Sequence, residues 1–162
     1  MGTNMTKECR QQFTLRITQA NKTELIVILY EMILTYLDDA ERALEASEIA
    51  DFRDSLRKVR GCIGELTASL NLDYELAARL LSLYLYCNRE VIKADARKDV
   101  EPLVHIRTVV EKLRTAYEEL AKQDTTGPVM QNSQTVYAGL TYGKNSLSED
   151  MADQGTNRGF RA

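Results

Sequence analysis

Four stretches of the chain carry apolar residues at helical spacing, joined by links of roughly three to six residues. Links that short force successive segments to reverse direction. The expected architecture is therefore all-α, an antiparallel four-helix bundle. The first segment runs from about Lys22 to Ala46 and the second from about Asp51 to Leu70. The third follows Asp73 and reaches about Ala96, and the fourth follows Asp99 and ends near Lys122. Asn21 is placed to cap the first segment, and Glu24, three residues on, completes a capping box. Asp73 is the expected cap of the third. Pro102 falls in the first turn of the fourth, where its missing N–H costs no bond. Residues 7–17, with Phe13 and Ile17, add a short N-terminal helix. Gly127-Pro128 breaks the pattern, since proline restricts the residue before it and cannot continue a helix. The chain thus divides into an N-terminal segment (1–20), a bundle (21–124) and a low-order tail (125–162) that is either flexible or folded back. Residues 1–4 read as a leader ahead of Met5, which would itself serve as a start.

Composition narrows the chemistry. Lys and Arg total 21 against 24 Asp and Glu, a net charge of −3, which gives no electrostatic reason to bind nucleic acid or an anionic membrane. Three cysteines (Cys9, Cys62 and Cys87), odd in number and without C-x-x-C spacing, point to reduced thiols and a cytoplasmic location. With His105 as its one histidine the chain cannot build a multi-histidine metal site. No apolar run is long enough for membrane insertion, and the N-terminus lacks a secretory pattern. No phosphate-binding loop occurs. Asp38-Asp39 and Glu118-Glu119 read as solvated helix faces, and acidic neighbours dilute the basic run Arg57, Lys58 and Arg60. No catalytic constellation emerges, so no enzyme, cofactor or metal is expected.

The informative departure from a plain bundle is surplus apolar surface. A core-facing helix needs one stripe a little over 100° wide. The second segment has one (Phe52, Leu56, Val59, Ile63, Leu66, Leu70), and so has the fourth (Leu103, Ile106, Val109, Val110, Leu113, Ala116, Tyr117, Leu120). The third has two: Leu76, Leu80, Leu83, Tyr84, Cys87 and Val91 on one side, and Tyr74, Ala78, Leu81, Leu85 and Ile92 roughly 130° away. The first likewise sets Tyr30, Leu34 and Leu37 apart from Leu25, Leu29, Met32, Ile33, Tyr36 and Ala40. Two arrangements account for the surplus. Either these helices sit centrally or dimerise, or they leave an apolar groove that a partner fills. Gly61, Gly64 and Ala68 lie on the second segment away from its core stripe. A glycine costs about 1 kcal/mol against alanine in a helix interior, so either another backbone approaches closely there or a surface helix tolerates them.

Two motifs carry a resemblance. Glu24-Leu25-Ile26-Val27-Ile28-Leu29-Tyr30-Glu31 is similar to the opening of the first helix in the flagellin export chaperones, the flagellar secretion protein FliS family. Leu83-Tyr84-Leu85-Tyr86-Cys87-Asn88-Arg89 resembles that family's Leu-Tyr-x-Tyr-x-Asn/Ile-Arg stretch. Ser69-Leu70-Asn71-Leu72-Asp73, Glu90-Val91-Ile92-Lys93-Ala94-Asp95 and Lys98-Asp99 match the family's turns, and the likeness spans roughly 15–122. The resemblance implies a cytoplasmic bundle without catalysis. Its implied client is the C-terminal segment of flagellin, which lies in apolar grooves and is kept from polymerising before it reaches the flagellar export gate.

The residues expected to hold that partner are Tyr30, Leu34 and Leu37 on the first segment, Gly61 and Gly64 on the second, and Leu81, Leu85, Asn88 and Ile92 on the third. Asn88 has an amide able to bond an extended client backbone. Tyr84 is expected in the core, and Tyr86 and Arg89 on the polar side, where pairing with a bundle carboxylate is the alternative role for Arg89. Many family members cover the binding surface in the free state with a tyrosine-containing N-terminal stretch. Here no tyrosine precedes Tyr30, and Phe13, Leu15 and Ile17 are the candidates for a self-covering segment. The apolar stretch Val136-Tyr137-Ala138-Gly139-Leu140-Thr141-Tyr142-Gly143 either moves freely, returns to the groove, or docks on an export component. The alternative to a chaperone is a structural or signalling bundle that uses the surplus face to homodimerise; the expected state is a monomer or weak dimer.

Overall fold

The computed structural model describes residues 5–130, in five helices with no strand among them. They are α1 (Lys7–Gln19), α2 (Lys22–Glu45), α3 (Ile49–Ala68), α4 (Glu75–Arg97) and α5 (Glu101–Gln123). The four long segments of the sequence are α2 to α5, and the short N-terminal helix is α1. Together they form a helical bundle: α2 packs on α3, α5 and α1, and α4 packs on α3 and α5. No helix among the described residues is long and apolar enough to cross a membrane.

Local chemistry sets the helix ends. Asn21 accepts from the Glu24 amide at 2.9 Å while Glu24 accepts from the Asn21 amide at 3.2 Å, so the capping box is formed. Asn21 also donates its side-chain amide to the carbonyls of Asp124 and Thr126, each at 3.4 Å. Thr23 donates to Asp124 at 2.6 Å, and the Val129 amide donates to the Ala20 carbonyl at 3.1 Å. Residues 124–130 are thereby strapped across the α1–α2 junction. Hydrogen bonds from Thr126 and Thr23 hold the Asp124 carboxyl down at about 2. Asn21→Ala should remove the cap and loosen the strap together, lowering stability by about 1–2 kcal/mol in urea unfolding.

The expected cap Asp73 is not used. Asn71 takes the Asp73 amide at 3.1 Å in a side-chain turn, and α4 starts from Tyr74 with no side-chain cap. The α5 start is similar: Asp99 accepts from the Glu101 amide at 3.0 Å, one residue ahead of the N-cap Val100.

The core draws on every helix, with Phe52, Ile33, Leu37, Ile63, Leu66, Leu103 and Ile106 among its fully buried side chains. Across it the Tyr30 and Tyr84 hydroxyls meet at 2.6 Å, and the Tyr117 ring stands edge-on to Tyr30 at 5.7 Å.

Candidate functional site

Helix α4 buries Ala77, Leu80, Tyr84, Cys87, Glu90, Val91 and Ala94. Its neighbouring flank is Tyr74, Ala78, Leu81, Leu85, Asn88 and Ile92, spaced three or four apart and so aligned on one face over about 27 Å. Nothing in the described structure covers this flank. Tyr74 is 67% exposed, Leu85 47% and Ile92 52%. Leu81 and Asn88 are half-buried, and the Asn88 Oδ1 is shielded from solvent with no hydrogen-bond partner among the described residues.

The facing wall is α3. Ala50, Arg53, Asp54, Leu56, Arg57 and Arg60 line a cleft of about 710 Å³ with Val91, Ile92 and Asp95 of α4. On the same outward side of α3, Gly61, Gly64 and Ala68 are exposed. A Cβ built on Gly61 or Gly64 would meet no atom within 4 Å. No close approach inside the fold therefore requires these glycines, and the helix carries their cost with nothing against them in this chain.

The α2 residues do not join this furrow. Tyr30 and Leu37 were expected on an uncovered stripe, yet both are 0% exposed. The reason is position: α2 packs against three helices, so its second stripe is spent on core contacts. Leu34 is half-buried and lines a different, polar hollow with Phe13, Arg16, Asp38, Arg107 and Arg114.

The N-terminal helix also sits elsewhere. Phe13 and Ile17 are buried, Arg16 pairs with Glu31, and the Met5 amide donates to Asp39 at 3.2 Å. Helix α1 has backbone neighbours in α2 only. It covers α2 and leaves the α3–α4 furrow open, while Leu15 points to solvent. The stretch Val136–Gly143 lies outside the described residues.

The arrangement suits binding more than bond-making. Burial pushes the Cys62 thiol up to about 12 and the Cys87 thiol up to about 11, away from thiolate chemistry. Burial pushes the Tyr84 phenol up to about 12 and raises Tyr30 further still. His105 is tied to the buried Glu90 at 2.9 Å, and Lys93 reaches the same carboxylate at 3.0 Å. The His105 hydrogen bond leads in holding the Glu90 carboxyl below its ordinary value. This pair fastens α4 to α5. No His, Cys, Asp and Glu cluster among the described residues could hold a metal ion.

Sequence reasoning set the arginines of the furrow aside, as a diluted basic run and a polar-side residue. Arg57 and Lys58 do share Asp54, and Arg53 pairs with Asp95 at 3.1 Å. Arg60 lines the same cleft with no carboxylate partner among the described residues, and Arg89 likewise has none there. Their helical positions, Arg60 one turn before Gly64 and Arg89 between Leu85 and Ile92, were the available signal.

Comparison with known proteins places these features in a family. A family model described as "FliS: Flagellar protein FliS" matches residues 5–124. The flagellar secretion chaperone FliS of Bacillus subtilis (strain 168) is 26% identical over 108 residues, covering 67% of this chain and 81% of the relative.

Proposed function

Since the chain belongs to the FliS family, we propose that it is a flagellar secretion chaperone, working in the cytoplasm, whose α3–α4 furrow takes the C-terminal segment of flagellin. In this reading α2 to α5 run alternately up and down as an antiparallel four-helix bundle. The single observation that carries the proposal is the uncovered Tyr74–Ile92 flank facing a helix with Gly61 and Gly64 on its outside. A client helix laid there buries Leu81, Leu85 and Ile92, and its backbone comes close to α3 where no side chain intervenes. The client orders itself on binding, which takes part of the gross contact energy and keeps the complex separable at the export gate. Bound in this way it cannot polymerise early.

Calorimetry with a synthetic peptide of the cognate flagellin C-terminus tests the proposal. Saturable one-to-one heat is expected. Gly64→Leu should then weaken binding by about tenfold while the melting temperature stays level or rises, because leucine is the better helix former and the site is empty. Absence of heat with the unaltered protein overturns the reading. Light scattering that shows mass rising with concentration, client absent, would favour the homodimer instead.

A further inference from the structure

Resting on that reading, we infer that the furrow selects its occupant by charge as well as by apolar fit, with Arg60 and Arg89 receiving one carboxylate of an amphipathic client helix. The Arg53–Asp95 contact at 3.1 Å joins the start of α3 to the end of α4. Along antiparallel helices a step forward on one is met by a step back on the other. Arg60 therefore stands level with Asn88, Arg89 lies one residue beyond, and Gly64 is level with Tyr84 and Leu85. The two free guanidiniums thus flank the open middle of the apolar flank.

The other cations near this furrow each have a carboxylate partner. Arg57 and Lys58 share Asp54, Arg53 and Lys98 share Asp95, and Lys93 is held by Glu90. Arg60 and Arg89 are left as guanidiniums with no carboxylate partner among the described residues, beside exposed Leu85 and Ile92. A purely apolar occupant would draw water away from both guanidiniums and return nothing. An occupant with a carboxylate at that level, one turn from its apolar anchors, satisfies them with charge-assisted bonds. Asn88 adds a second requirement at the same level. Its Oδ1 is shielded with no donor among the described residues, so the amide turns about its Cβ–Cγ bond to meet an N–H of the occupant.

The test is calorimetry with the same flagellin peptide on the Arg60→Gln/Arg89→Gln double variant at two salt concentrations. Both residues are exposed, so the fold is undisturbed, which a melting curve verifies. The expected result is binding about tenfold weaker at low salt, with a flatter salt dependence. Changing the peptide's acidic residues to amides one at a time should find one position whose loss weakens binding to the unaltered protein and leaves the double variant unaffected. If the double variant binds as tightly as the parent, or no peptide carboxylate couples to it, the charge reading is overturned. Gly64→Leu separates the two levels: continued weakening by that change leaves the client seat standing, and indifference to it removes the seat as well.

Discussion

Leu85→Glu combined with Ile92→Glu should weaken the flagellin peptide by at least about 100-fold and barely move the melting temperature. The two side chains are 47% and 52% exposed in the free protein, so each has about half of its area still to bury. At roughly 25 cal/mol per Å² that remaining burial is worth on the order of 1 kcal/mol per residue. A glutamate at each site adds the cost of desolvating a charge and, three or four residues from Arg89, takes up the guanidinium offered to the client; together these exceed the roughly 3 kcal/mol that 100-fold requires. The fold should not notice, since exposed positions outside caps and networks usually change stability by less than about 0.5 kcal/mol. Paired calorimetry and thermal melts read both quantities. Unchanged affinity with a normal melt would show that the client does not use this flank.

The opposite signature is expected at Tyr30. Its ring is fully buried and its hydroxyl meets Tyr84 at 2.6 Å. Tyr30→Ala should lower stability by about 3–5 kcal/mol, the range for deleting a buried aromatic ring. Tyr30→Phe keeps the ring but leaves the Tyr84 hydroxyl without its partner, for a loss of about 1–3 kcal/mol. Adding Tyr84→Phe should recover part of that loss, because no unpaired polar atom then remains. Urea unfolding measures all three, and client affinity should hold wherever the variant is folded. A Tyr30→Phe protein that unfolds normally but binds the peptide poorly would put Tyr30 at the interface after all.

The contrast between these residues shows what the amino-acid pattern could and could not reveal. Both α2 and α4 carry two apolar stripes, and projection around the axis treats them alike. Leu85 and Ile92 are open while Tyr30 and Leu37 are sealed. The difference arises from how many helices surround each one, three for α2 and two for α4. That number is a property of the assembled bundle and leaves no trace in the spacing of one helix. The capping box was legible because Asn21 and Glu24 are three residues apart and the motif is complete within one turn. The start of α4 was not: Asn71 closes a side-chain turn on the amide of Asp73 itself, and the helix starts from Tyr74 without a side-chain cap. The arginines were legible but were read together as one basic run: Asp54 stands three and four residues before Arg57 and Lys58 and six before Arg60, a helical spacing that pairs it with the first two and not the third.

One further consequence follows from where the uncovered flank lies. Leu81, Leu85 and Ile92 are rungs of a single unbroken helix whose inner side is anchored by Leu80, Tyr84, Cys87 and Val91. On the proposed reading, a helix anchored in this way has little room to reshape itself around a client, so the client does the conforming. After hand-over the helix would be left in its starting shape. One copy could then serve a succession of clients, its pace set by departure of the passenger and not by recovery of the carrier.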